Sequence, residues 1–302
     1  MATTVDNVPK RHFSAMVANR DLILVTGKGG TGKSTFCATL AELAARRRGA
    51  ALAVEMSVHA RLPEMLRPES PVRAVCIDAE EAVLPALGRL LGLPTLVTRI
   101  FNNRVLRLFI RTSPAIREMI MLDELHHLVS SHAERRCPVI VDLPSSGHAL
   151  SILETPLAVH RLLRVGPLAL IAAQVEELLL DRSRCELVVV TLPEELPVNE
   201  AIEVVRRAQD IGLVNRTVVV NQVPHAVLEP EDGELLDILR SRGDAELGRV
   251  AEAARGEIDE VAQSRQQIER LRLAVTDRII ELPLHRDPDP SRCVSSLVEE
   301  LA

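Results

Sequence analysis

Leu22-Ile23-Leu24-Val25-Thr26-Gly27-Lys28-Gly29-Gly30-Thr31-Gly32-Lys33-Ser34 is the stretch that decides how this chain folds. Its first five residues are apolar or β-branched and carry no charge, the composition of a strand buried on both faces. The remaining eight follow the pattern glycine, four residues, glycine, lysine, serine, and a helix-length segment from Ser34 to Arg47 comes next. Strand, glycine-rich loop and helix in that order form a phosphate cradle. Gly27, Gly29, Gly30 and Gly32, with Thr31 among them, let the backbone curl so that amide hydrogens point inward, and the helix N-terminus adds a partial positive charge. Lys33 is placed to bridge β and γ phosphates, Ser34 to offer a hydroxyl to Mg²⁺, and Thr35 to touch an α phosphate. ATP with Mg²⁺ is the expected ligand.

Outward from the loop, short apolar runs recur at Ala51 to Glu55, Val139 to Asp142, Leu187 to Leu192, Val218 to Asn221 and Ile279 to Leu282. Helix-length segments rich in Ala, Leu, Glu and Arg separate them, so the class is α/β, a doubly wound, mostly parallel sheet. Two intervals exceed a simple crossover and predict helical elaborations at about 80–131 and 147–181. A third polar stretch, Glu231 to Thr276, has mixed charges on a helical period and reads as a solvated helix or helix pair. Residues 1–20 read as a flexible arm and 21–302 as a single domain.

Composition removes several function classes. The chain has 302 residues, 47% of them apolar, which is enough for a large core. Its net charge of -6 is opposite to what phosphate-backbone binding requires, and Tyr and Trp are absent, so nucleic acid is not expected as a partner. The five cysteines, Cys37, Cys76, Cys137, Cys185 and Cys293, lie far apart, which argues against a zinc site or a disulfide framework and fits a cytoplasmic protein. The most apolar region, Leu157 to Leu180, is broken by His160, Arg161, Arg164, Gly166-Pro167 and Glu176-Glu177 and does not read as a membrane span.

Lys28 is the unusual residue of the loop, because phosphate binding does not need a second lysine there. Its position resembles the deviant phosphate loops of the ParA, MinD and ArsA class, in which that lysine reaches the partner subunit's nucleotide. Other motifs make the chain similar to the ArsA family of anion-transporting ATPases, which includes the targeting ATPase for tail-anchored membrane proteins. Val139-Ile140-Val141-Asp142 followed by Leu143-Pro144-Ser145-Ser146-Gly147-His148 resembles that family's second switch. Asp142 also reads independently as a carboxylate near Mg²⁺, against the alternative of a strand-end turn residue. Val189 to Glu194, with Glu200 beyond, resembles a later strand and helix of the family. Asn221, in Val219-Val220-Asn221-Gln222, resembles the adenine-reading asparagine, and Leu282-Pro283-Leu284 the loop over the base. The resemblance runs from residue 22 to about 287, and the length suits single-domain bacterial members. It implies a dimeric, ATP-driven switch in which Lys28 acts in trans as an arginine finger does.

The pattern departs from the family at the first switch. Val54-Glu55-Met56-Ser57-Val58 puts Ser57 where an aspartate normally handles the attacking water. Glu55 points to the same side but lies roughly 6 to 7 Å back along the strand. Glu55 is therefore either a partial substitute at the water or Mg²⁺ shell, or a structural carboxylate. Loss of a well-placed base costs about 10² to 10⁴ in rate, so slow hydrolysis is expected. Clustered thiols for arsenite and the CxxC clasp of many targeting ATPases are both missing.

Arg99 to Arg111 alternates basic and bulky apolar residues, including Phe101 and Phe109, and Met119 to Leu122 follow. This segment reads as cover for the sheet or dimer, or as a groove for an apolar helix or an acidic membrane surface. His126, His127 and His132 raise a metal possibility, but adjacent histidines point in different directions on a helix, which disfavours ligation. The leading expectation is a slow Mg-ATPase, a homodimer or a heterodimer with a paralogue, whose nucleotide state controls a client protein, a membrane-associated one included. The alternative is a nucleotide-binding subunit of little activity whose paralogue supplies the missing carboxylate. A phosphotransferase is a weaker third, since nothing marks an acceptor site.

Overall fold

The computed structural model describes residues 7–56, 61–67, 69–91, 108, 112–134, 136–225, 228, 232–241, 245–285, 287 and 289–302. Seven strands form one parallel sheet: β1 (Leu22–Gly27), β2 (Ala51–Glu55), β3 (Val72–Cys76), β4 (Val139–Ser145), β5 (Cys185–Thr191), β6 (Arg216–Val223) and β7 (Arg278–Pro283). Their spatial order is β3-β2-β4-β1-β5-β6-β7. The strand after the loop's own helix is thus separated from β1 by β4, and β4 and β5 flank β1 directly. The α/β class expected from the sequence is the one found.

Burial on both faces explains why the central strands read as continuous apolar runs. In β1, Leu22 and Leu24 face one core while Ile23 and Val25 face the other. The first core is closed by α5 (Pro114–Ala133), α6 (Ser146–Leu162), α7 (Pro167–Leu180), α8 (Glu195–Asp210) and the end of α10 (Ala245–Ala274). The second is closed by α1 (Asn7–Asn19), α2 (Lys33–Arg48), the short α3 (Leu62–Met65) and α11 (Pro290–Leu301). Helix α4 (Ala79–Leu91) packs on α5, and α9 (Gly233–Ser241) pairs with α10.

Two elements differ from the sequence reading. Residues 7–19, expected within a flexible arm, form helix α1, because Phe13, Met16 and Val17 recur at helical spacing and are buried. Phe13 meets Phe36 of α2 edge to face, with ring centroids 5.3 Å apart, and burying one such ring contributes about 1.5–3 kcal/mol. Strand β3 had no counterpart among the expected strands. It is an edge strand, with Arg73 exposed and only Val72 buried, so it lacks the apolar run of its neighbours. Ser57 and nearly all of Arg99 to Arg111 lie outside the described residues.

Candidate functional site

The loop sits where β1 hands over to α2, and two of its glycines are sterically required. Gly27 has φ +150°, and a Cβ there would stand 2.0 Å from the Val190 carbonyl oxygen on β5. Gly32, the residue before α2, has φ +86°, and its Cβ would fall 2.4 Å from Asn221 Nδ2. Gly30 also takes a left-handed φ of +89°, whereas a Cβ at Gly29 would meet nothing within 4 Å. Internal bonds hold the curl: buried Thr31 donates its hydroxyl to the Lys28 carbonyl at 2.9 Å, and Lys33 Nζ donates to the same oxygen at 3.3 Å. Thr35 lies half-buried in the first turn of α2.

At the inner end of the loop the structure brings Lys33, Ser34, Glu55 and Asp142 around one cavity of about 430 Å³. Ser34 Oγ donates to Asp142 Oδ2 at 2.5 Å. The other oxygen, Asp142 Oδ1, is buried with no hydrogen-bond partner among the described residues. Burial pushes the Asp142 carboxyl up to about 6, against the opposing pull of the Ser34 hydroxyl and the Lys33 ammonium. Burial likewise lowers Lys33, with Asp142 opposing. A buried carboxylate with an orphaned oxygen beside a serine hydroxyl is a donor set suited to a hard divalent cation, so these residues fit Mg²⁺.

Glu55 is the register partner of Asp142 on the adjacent strand and is 5% exposed. One of its oxygens, Oε2, accepts the backbone N–H of Arg61 at 2.6 Å and of Leu62 at 3.1 Å, which caps the start of α3. Its carboxylate is therefore tied to the returning chain as well as facing the cavity. Arg61, Arg117 and His148 also line this cavity. Sequence reasoning did not single out Arg61 or Arg117, since Arg117 reaches the site from α5, 83 positions beyond Ser34, and no local pattern marks it.

Lys28 turns the other way. Its Nζ lies 2.8 Å from Glu200 Oε1, and the second Glu200 oxygen accepts from Ser146 Oγ at 2.8 Å. The Lys28 hydrogen bond, helped by Ser146, holds the Glu200 carboxyl below its ordinary range despite some desolvation. This pair borders a separate cavity of about 520 Å³ with Ser145, Ser146 and Gly147 along its wall. Asn221, at the end of β6, donates Nδ2 to the Thr31 carbonyl at 2.9 Å and so braces the loop. Pro283 and Leu284 lie one strand further out, where Leu284 N–H donates to the Val223 carbonyl at 3.0 Å. His132 Nδ1 bonds the Leu128 carbonyl within its own helix at 2.8 Å. Among the described residues no group of three or more His, Cys, Asp or Glu could hold a metal ion, and no helix is long and apolar enough to cross a membrane.

Comparison with known proteins agrees with this geometry. Residues 17–154 match the family model described as an AAA domain. ATPase BagA of Mycobacterium tuberculosis is 28% identical over 280 residues, covering 86% of this chain and 76% of that relative. A Mycobacterium bovis protein that bears the name ATPase provisionally matches to the same extent. The glycine-rich loop between a central strand and a helix, in a seven-stranded parallel sheet, is consistent with a P-loop NTPase α/β fold, and the proteins to which the chain is similar bear the name ATPase.

Proposed function

We propose that this protein is a slow, Mg²⁺-dependent ATP hydrolase of the ArsA type that works as a dimeric switch. The observation that carries the proposal is the divergence of the two loop lysines. Lys33 stays with Ser34 and Asp142 at the inner cavity, while Lys28 sits at a separate, half-exposed mouth on Glu200. A cation held apart from the inner cavity supports the trans role that the ArsA-type resemblance implies, in which it serves a nucleotide other than its own. Ser34 and Asp142 would hold the magnesium, which when bound neutralises phosphate charge. Gly27 to Thr35 wrap the phosphates, and Lys33 contacts the β and γ groups. Asn221, already against Thr31, lies on the side where a base would follow, with Pro283 and Leu284 beyond it. The client whose handling the cycle controls is a protein partner of the helical layer.

Light scattering and phosphate release, with and without Mg-ATP, test this in wild type and Lys28→Ala. The expected result is an ATP-dependent dimer for wild type, and for the variant a loss of about 10³-fold in hydrolysis, the scale of a missing finger. A variant that dimerises and hydrolyses as wild type removes the trans lysine.

One observation favours a second reading, a heterodimer in which a paralogue supplies the catalytic carboxylate. Ser57 replaces the expected aspartate, and Glu55 is engaged as the cap of α3. Activity that appears only when two paralogues are mixed supports this version. Equal turnover in Glu55→Gln and wild type removes Glu55 from the chemistry under either reading.

A further inference from the structure

The most apolar part of the sequence has two distinct environments. The arms of α6 and α7 bury Leu153, Val175 and Leu178 beneath the sheet. The turn joining them leaves its apolar side chains outside: Val165 is 86% exposed, Leu162 80% and Leu170 62%, with Leu163 and Leu168 also exposed. Five of the fourteen exposed large hydrophobic residues among those described therefore fall within nine consecutive positions. Such clustering marks an interaction surface, whereas single exposed leucines do not. Gly166, at φ +103°, bends the chain, and Pro167 starts α7 immediately, so the tip is short and sharply turned.

Charge separates this tip from the rest of the molecule. Arg161 and Arg164 alternate with the leucines, and neither has an ion-pair partner among the described residues. The next acidic residue is Glu176, well down α7, where His160 Nδ1 meets its carboxylate at 2.5 Å and joins the two helices below the turn. An apolar tip carrying cations and no acid thus projects from a chain whose net charge is -6.

We propose that the α6–α7 tip is a docking surface for an anionic phospholipid bilayer. Leu162 and Val165 enter the boundary of the acyl region, while Arg161 and Arg164 lay their aliphatic stems along it and place guanidinium groups on headgroup phosphates. Charge complementarity selects this occupant over a protein groove. The same negative surface that attracts two unpaired arginines repels the acidic remainder of the chain, which fixes the orientation of approach. Contact of this kind is peripheral, in keeping with the absence of a membrane-crossing helix among the described residues, and a single small tip gives reversible rather than permanent attachment.

The test is co-sedimentation of the full chain with vesicles of phosphatidylglycerol mixed with phosphatidylcholine, and with phosphatidylcholine alone. The expected result is binding to the anionic vesicles about tenfold above the neutral ones, weakening as salt is raised. Leu162→Ser with Val165→Ser, and separately Arg161→Ser with Arg164→Ser, should each reduce that binding about tenfold, with phosphate release unchanged. Binding that ignores lipid charge, no binding to either vesicle, or variants that bind as wild type would each overturn the proposal. So would a wild type that ignores vesicles while the Leu162→Ser/Val165→Ser variant loses mass in light scattering, which would assign the tip to contact between copies of the chain.

Discussion

The two ends of the phosphate loop are built on opposite principles. At the inner end, half-buried Lys33 and Ser34 meet the buried Asp142, and the carboxyl is lifted to about 6. At the outer end, Lys28 and Glu200 form an ion pair about one-third exposed on each side, and the Glu200 carboxyl is lowered. Burial dominates the first and pairing the second. The inner end is therefore set up to respond to an added cation, and the outer end to the exchange of one anionic partner for another.

Substitutions at the inner end should have the largest effects. Lys33→Ala is expected to lower ATP hydrolysis about 10³-fold, as loss of a phosphate-directed donor does elsewhere, measured as phosphate release. Near-normal turnover would mean that Lys28 and not Lys33 serves the chain's own nucleotide, and the contrast between the two ends would collapse.

Asp142→Asn comes next and carries a sign that distinguishes it from a merely damaged protein. The folded, metal-free chain holds the Asp142 proton to about pH 6, above the ordinary 3.8. The stability linked to that proton is therefore full below about pH 4 and is lost as pH rises through 6, by about 3 kcal/mol in all. The asparagine variant escapes that loss. Urea unfolding without Mg²⁺ at pH 7 should find it more stable than wild type by up to about 3 kcal/mol, although its hydrolysis falls about 10²-fold. For wild type, Mg-ATP binding should weaken as pH drops below 6, and the variant should lack that dependence.

The outer end yields smaller effects. Glu200→Ala releases Lys28 from a partly exposed pair, so monomer stability should change by less than about 1 kcal/mol. ATP-dependent dimerisation should tighten by about threefold if Glu200 restrains the lysine; a weaker dimer would show instead that Glu200 orients it. Asn221→Ala, which leaves the Thr31 carbonyl without its donor, should cost about 1 kcal/mol in thermal or urea unfolding and raise KM for ATP slightly.

What the sequence made legible follows from how each feature is encoded. The central strands and the loop are contiguous signals: Leu22 to Ser34 contains strand, turn chemistry and helix start in thirteen residues. Edge strand β3 is only partly covered, and Arg73 breaks the apolar run that marked its neighbours. Helix α1 carried its signal at positions 13, 16 and 17, but three apolar residues among Lys10, Arg11 and His12 resemble a polar arm until α2 and α11 are there to receive them. The cap that Glu55 places on α3 depends on how the chain turns back just after β2, and the bond from Asn221 to Thr31 on β6 coming to lie beside the loop. Neither has a local pattern, so only the folded arrangement reveals them.

The packing of α1 and α11 against α2 gives the phosphate loop a mechanical handle. Phe13 abuts Phe36, and Arg47 of α2 donates both to Ser14 of α1 and to the Ala302 carbonyl after α11. The helix whose first residues are Lys33 and Ser34 is thus gripped by the first and last described helices of the chain. Any displacement of α1 or α11 therefore bears on the far end of α2, whose near end carries Lys33 and Ser34.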